Sequence, residues 1–222
     1  MESICSLNSV VKYAVALLCI CLVTALHAGA TARKADPDAT LNVNFDKLGL
    51  VTVVSVLAQD KGIPVGYVKN GPDDGARITF SANGIKLKDL LVVLEQSFPD
   101  SVFEISENVL EVFPKKQDPI VEGFLCSSTE RLDIRANNNW SFLRDAIYEA
   151  PSVRKFLEER RIEAVKAYST HNDIAFSDEA IPLDPSTLTV RQILTKVVTE
   201  GTSSMWQISR YGKKNEKLLL SF

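Results

Sequence analysis

Residues 87–106 and 190–209 carry one apolar pattern twice, aligned without a gap at an offset of 103 residues. Leu90 falls on Ile193, Leu91 on Leu194, Leu94 on Val197, Phe103 on Trp206 and Ile105 on Ile208. A short strand precedes each copy, Ile78-Thr-Phe-Ser81 in the first and Ile174-Ala-Phe-Ser177 in the second. An apolar helical stripe must bury against something, and the flanking alternation supplies small sheets as that surface. The pattern therefore predicts an α+β fold of two small modules in tandem, each with two helices packed on short two- and three-stranded sheets.

Boundaries follow from composition along the chain. Residues 31–40 are small and charged and are interrupted by Pro37, which predicts a flexible arm. The first module covers residues 41–113. It opens with an alternating strand at 41–45, followed by a helix whose stripe is Leu50, Val53, Val54 and Leu57 and which stops at Gly62. Many of those positions are β-branched, so burial rather than intrinsic propensity must hold that helix. A strand at 64–68, a turn-rich loop at 70–75 and a strand at 77–81 come next. The second helix carries Leu87, Leu90, Leu91 and Leu94 and ends at Pro99. Strands at 102–106 and 109–113 then form a hairpin across Glu107 and Asn108.

Residues 114–130 form the expected linker, in which 120–126 is apolar enough to dock on either module. Residues 131–222 form a second, divergent module. Its front half holds a strand at 132–134, an asparagine turn at 137–139, and a helix with Trp140, Leu143 and Ile147 that ends at Pro151. Residues 152–168 predict an inserted charged helix with a thin apolar edge of Val153, Phe156 and Leu157. Alternatively, 162–168 supply the missing second strand. A loop with Pro182 and Pro185 leads to the helix of Val190, Ile193, Leu194 and Val197, stopped by Gly201. A hairpin of 205–211 and 217–222 follows.

Residues 1–30 read as a secretory signal. Lys12 precedes an apolar run at 13–26, and Ala28-Gly29-Ala30 offers the small residues of a cleavage site, with Ala32 as a second choice. An uncleaved inner-membrane tether is the alternative. Cys19 and Cys21 lie inside the run without a preceding small residue, which argues against lipoprotein processing. Beyond residue 30 one cysteine, Cys126, and one histidine, His171, are left, so no internal disulfide is expected. The net charge of -3 argues against nucleic acid, whose phosphates call for a basic surface.

The first module, and within it Ile78-Thr-Phe-Ser-Ala-Asn-Gly-Ile-Lys-Leu-Lys-Asp-Leu-Leu91 with Val102-Phe-Glu-Ile-Ser106 and Val109-Leu-Glu-Val-Phe113, resembles the secretin and TonB short N-terminal domain family. The second module resembles it more loosely, through Thr189-Val-Arg-Gln-Ile-Leu194 and Trp206-Gln-Ile-Ser209. The resemblance implies a domain of the Gram-negative periplasm that docks partner proteins ahead of a secretin ring or receptor barrel. The sequence to Phe222 holds neither a ring nor a barrel nor an energy-coupling box, so docking rather than transport is the implied task.

Side-chain chemistry points the same way. A thiol–imidazole pair of Cys126 and His171 lacks a third group and falls on linker and loop, and the same two residues are too few for zinc. Asp36, Asp38, Asp73 and Asp74 lack the spacing of a calcium loop. The Asn139-Trp-Ser141 triplet has the form of a glycosylation acceptor, but Trp140 and Trp206 are expected in the core. No catalytic, metal or cofactor residue is assigned. Docking is expected through the charged segment with Arg154, Glu158 and Arg161, or through sheet edges at 41–45 and at 217–222 with Lys217 and Leu219. The expectation is a periplasmic or secreted, non-enzymatic partner of an envelope or outer-membrane protein. The rivals are a membrane-tethered accessory subunit and an envelope-polymer hydrolase using Glu158 or Asp173.

Overall fold

The computed structural model describes residues 33–70, 75–129, 132, 140–165, 188–201, 203–212 and 214–222. Several expectations lie outside the described residues: the signal segment, Asp73 and Asp74, the turn at 137–139, the Trp140 side chain, His171 and Asp173, the strand at 174–177, and the loop with Pro182 and Pro185. Among the described residues the fold is mixed α and β, with six helices and two sheets. No described helix is long and apolar enough to cross a membrane.

Strand β1 (Thr40–Leu48) turns Leu41, Val43 and Phe45 inward and leaves the residues between them exposed. Helix α1 (Leu50–Gln59) buries Val53, Val54, Leu57 and Ala58. Its N-cap Gly49 offers no side-chain hydrogen bond, so the buried stripe holds it. Strand β2 (Val65–Asn70) follows, then β3 (Ile78–Lys86), which pairs antiparallel with β1 as a two-stranded sheet. Strand β3 runs past the expected end at Ser81 because the nine-residue β1 offers it partners as far as Lys86. Helix α2 (Leu87–Ser97) buries Leu87, Leu90, Leu91 and Leu94. Strands β4 (Ser101–Ser106) and β5 (Val109–Pro114) form the expected hairpin, with Glu107 and Asn108 both at positive φ, 49° and 66°. That conformation suits a two-residue turn between twisted strands.

The chain continues through α3 (Pro119–Leu125), α4 (Trp140–Glu149), α5 (Pro151–Glu159), β6 (Glu163–Ala164), α6 (Val190–Glu200), β7 (Met205–Tyr211) and β8 (Lys217–Ser221). Helix α6 starts on a complete capping box between Thr189 and Gln192. It spans the same repeat positions as α2, at the offset of 103.

The second sheet has six strands in the order β4-β5-β2-β7-β8-β6. Pairs β5–β2, β2–β7 and β8–β6 are parallel, while β4–β5 and β7–β8 are antiparallel. The two cores lie on opposite faces of this sheet. Val65, Tyr67, Phe103, Leu110 and Val112 belong to the first, with α1 and α2. Val109, Trp206, Ile208, Leu218 and Leu220 belong to the second, with α3 to α6. Phe103 and Trp206 occupy one repeat position, yet they point to opposite faces.

Two expectations need correction, and two are made more definite. The short separate sheets are replaced, in part, by one sheet of six, because β2 pairs with β7 over six residues, Val65↔Met205 to Asn70↔Arg210. Two edges that would each have been exposed cover one another. The arm is docked over its described part: Ala35 is buried, its N–H donates to the Asn108 carbonyl at 2.6 Å, and the Arg33 N–H donates to Thr199 at 2.7 Å. Within the linker, α3 buries Val121, Phe124 and Leu125, so the apolar stretch 120–126 docks on the second face, while Lys115, Lys116 and Gln117 are exposed. The inserted segment holds both expected alternatives, helix α5 and then the two-residue β6.

Candidate functional site

One lateral row of the six-stranded sheet carries the chemistry. Glu104 on β4 faces Glu111 on β5, Glu111 faces Gly66 on β2, and Gly66 faces Trp206 on β7. All four border a cavity of about 310 Å³, roofed by Val121, Glu122 and Leu125 of α3 and by Arg191 of α6. Trp206 is buried because Gly66 makes room for it. A Cβ at Gly66 would lie 2.2 Å from Cζ2 of the indole and 2.6 Å from Cε2. The six-membered ring of the indole therefore lies over Gly66, and the occluded N–H has no acceptor among the described residues.

Two ion pairs tie α3 and α6 to the sheet. Arg191, in the first turn of α6, donates to Glu111 and, at 2.9 Å, to Glu122. Burial works against the Arg191 charge, yet the Glu111 and Glu122 carboxylates outweigh it and hold the guanidinium above its usual pKa. Arg210 donates to Asp118 at 2.6 Å, and both side chains are nearly buried. Asp118 also caps α3 by accepting from the Ile120 N–H at 2.9 Å. The Cys126 thiol donates to Glu122 at 3.4 Å. Burial pushes this thiol up, and Glu122 adds to the shift, so it is the opposite of an activated nucleophile.

The outer strands close differently. Beyond the short β6, the Tyr148 hydroxyl accepts from the Leu220 N–H at 2.8 Å and donates to the Leu218 carbonyl at 3.3 Å. It stands where a further strand would pair with β8. The expected edge at 217–222 is therefore occupied: Lys217 pairs with Glu163 at 3.5 Å, and Leu219 sits half-buried in a strand flanked by β7 and β6. At the other end, no described strand pairs with the outer side of β4. The Leu110 N–H donates to Pro64 on β2, and the Lys115 N–H donates to Asp100. Antiparallel alternation from these bonds aims the amides of Phe103 and Ile105 outward and those of Glu104 toward β5.

The remaining docking residues predicted from sequence do not gather at the cavity. Arg154 lies 4.0 Å from Glu149 and 3.9 Å from Glu158 on the exposed face of α5. Arg161 follows α5 at φ 55°. Residues 41–45 lie in β1, which pairs with β3 on one side only among the described strands. Sequence reasoning missed Glu104, Glu111, Asp118, Glu122, Arg191 and Arg210. The one readable signal was Glu111, a carboxylate amid the apolar strand Val109-Leu-Glu-Val-Phe113. Among the described residues no three His, Cys, Asp or Glu side chains are grouped to hold a metal ion. Comparison with protein-family models, with curated proteins and with solved structures returns no match.

Proposed function

We propose that the chain is an exported, non-enzymatic protein of the bacterial envelope, built from two like modules, that docks a partner protein by taking up one of its segments alongside β4. The modular reading is supported by the sheet: β4-β5-β2 and β7-β8-β6 each comprise an antiparallel hairpin followed by a strand parallel to its second member. In this reading the modules are inverted relative to each other, which puts their helices on opposite faces. Export rests on the apolar run at 13–26, and the envelope setting rests on the family resemblance.

The observation that carries docking is the open side of β4. It is six residues long, its outward amides at Phe103 and Ile105 lack a described strand, and a cavity opens beside it. An unpaired edge binds extended segments through backbone hydrogen bonds that any sequence offers. The expected edge in β1 also remains unpaired on one side, but β4 is preferred for its adjacent cavity.

Cross-linking and co-purification of the full chain from detergent-solubilised envelopes test this reading. Ile105→Pro removes one outward donor at a position where an edge strand tolerates proline, and Ile105→Val is its control. Recovery of a partner that is lost in the proline variant supports docking at β4. Recovery of the chain alone, or of a partner indifferent to that change, counts against it. N-terminal sequencing of the exported form tests cleavage: a start at Thr31 or Arg33 excludes the membrane-tethered rival.

A further inference from the structure

We propose that the segment received by β4 is basic, with a Lys or Arg directly opposite Glu104. This rests on the reading that β4 takes up a strand, and it adds what that strand must carry.

The row Glu104–Glu111–Gly66–Trp206 sets two carboxylates opposite each other on adjacent strands. Like charges so placed repel, and each calls for a cation. Glu111 has Arg191, which it shares with Glu122. Glu104 is exposed and has no ion pair among the described residues. A strand added outside β4 extends the row by one position, and the residue there sits beside Glu104 on the same face. In an antiparallel addition that position is a non-hydrogen-bonded pair, because the Glu104 amide and carbonyl point to β5. Such pairs bring side chains closest.

The cavity reinforces the sign. Its lining holds Glu104, Glu111, Asp118 and Glu122 against Arg191 alone, and the acids still outnumber the bases when Arg210 is set against Asp118. The row ends inward at Trp206, whose side chain is only 1% exposed and closes the cavity on that side. A long basic side chain lying over Glu104 fits it, with the head group meeting Glu104 and, across the row, Glu111.

Fluorescence anisotropy with the full chain tests this. The probes are three labelled nine-residue peptides of alternating Thr and Val, identical except for Lys, Ser or Glu at the centre of the Thr face. The Lys peptide is expected to bind about tenfold tighter than the Glu peptide. Glu104→Gln narrows that gap, Glu104→Lys reverses it, and Ile105→Pro abolishes binding of all three. Equal affinity for the three peptides, lost in the proline variant, overturns the basic preference while strand addition stands. A Lys preference that survives Ile105→Pro, or that ignores both Glu104 substitutions, overturns the proposal by placing the recognition elsewhere. Failure of all three to bind overturns it together with the β4 reading.

Discussion

The two faces of the six-stranded sheet bury different things. The first face covers an apolar core of residues between Ala35 and Val112, in which Tyr67 is the only polar-tipped buried side chain among those described. The second face covers an apolar core as well, around Trp206, Phe124 and Ile147, but it also takes in Glu111, Arg191, Asp118 and Arg210. The fully buried residues of the first core all come from a single stretch of chain, with Met205 of β7 packed at the margin. The second includes the junction of the two halves of the sheet. Its polar groups find partners far off in sequence: Arg191 meets Glu111 across 80 residues, and Arg210 meets Asp118 across 92. The buried charge is thus concentrated where segments far apart in sequence meet.

The sharpest way to break this comparison is to remove the cation at the junction. Arg191→Met leaves Glu111 buried without its partner and is expected to cost about 3–5 kcal/mol in urea unfolding. Adding Glu111→Leu should recover most of that loss, since an apolar pair of similar volume replaces a buried ion pair at little cost. In the first core no second change is expected to rescue Leu90→Ala, which costs about 2–5 kcal/mol through its cavity. If the junction pair shows no such rescue, the two faces are held alike.

A smaller effect is expected where the halves touch. Gly66→Ala drives a methyl into the Trp206 ring and should cost about 1–3 kcal/mol. The same substitution made with Trp206→Leu should cost far less than the two singly added, a coupling that a double-mutant cycle of unfolding midpoints reads directly.

Next comes Tyr148, which closes the β8 edge. Tyr148→Phe leaves the Leu220 N–H unpaired and is expected to cost about 1–3 kcal/mol. Burial raises this phenol above its usual 10.0, with the Leu220 hydrogen bond opposing the shift. Its folded pKa is the higher one, so stability is intact below pH 10.0 and declines as pH rises beyond it; the Phe variant should lack that part of the decline. The smallest change belongs to the docked arm. Hydrogen bonds from Lys88 and Lys86 hold exposed Asp38 below its usual 3.8. Asp38→Asn should lower the unfolding midpoint slightly at neutral pH. That difference should vanish as pH falls below 3.8 through the folded value, because the native contribution is lost there.

Much of the fold was legible because period is local. The stripes of α2 and α6, the alternation of β1 and the turn at Glu107 and Asn108 each follow from residues within one element of themselves. The apolar stretch 120–126 was legible as a docking segment, but which face would bury Phe124 and Leu125 was not, because that surface exists only once the second core is built. The candidate site was almost wholly hidden. Glu104, Asp118, Glu122, Arg191 and Arg210 look like ordinary surface charges in the sequence. Only Glu111, amid apolar neighbours, stands out.

The amino-acid order alone determined that two hairpins and two leucine- or valine-striped helices would form at matching intervals, since those depend on apolar spacing within a few residues. That β2 would pair with β7, that equivalent aromatics would face opposite sides, and that Glu104 and Glu111 would share a row with Trp206 was decided by tertiary structure. Backbone hydrogen bonds between strands carry no sequence code, so partner and register are set by how the two cores can both be covered at once.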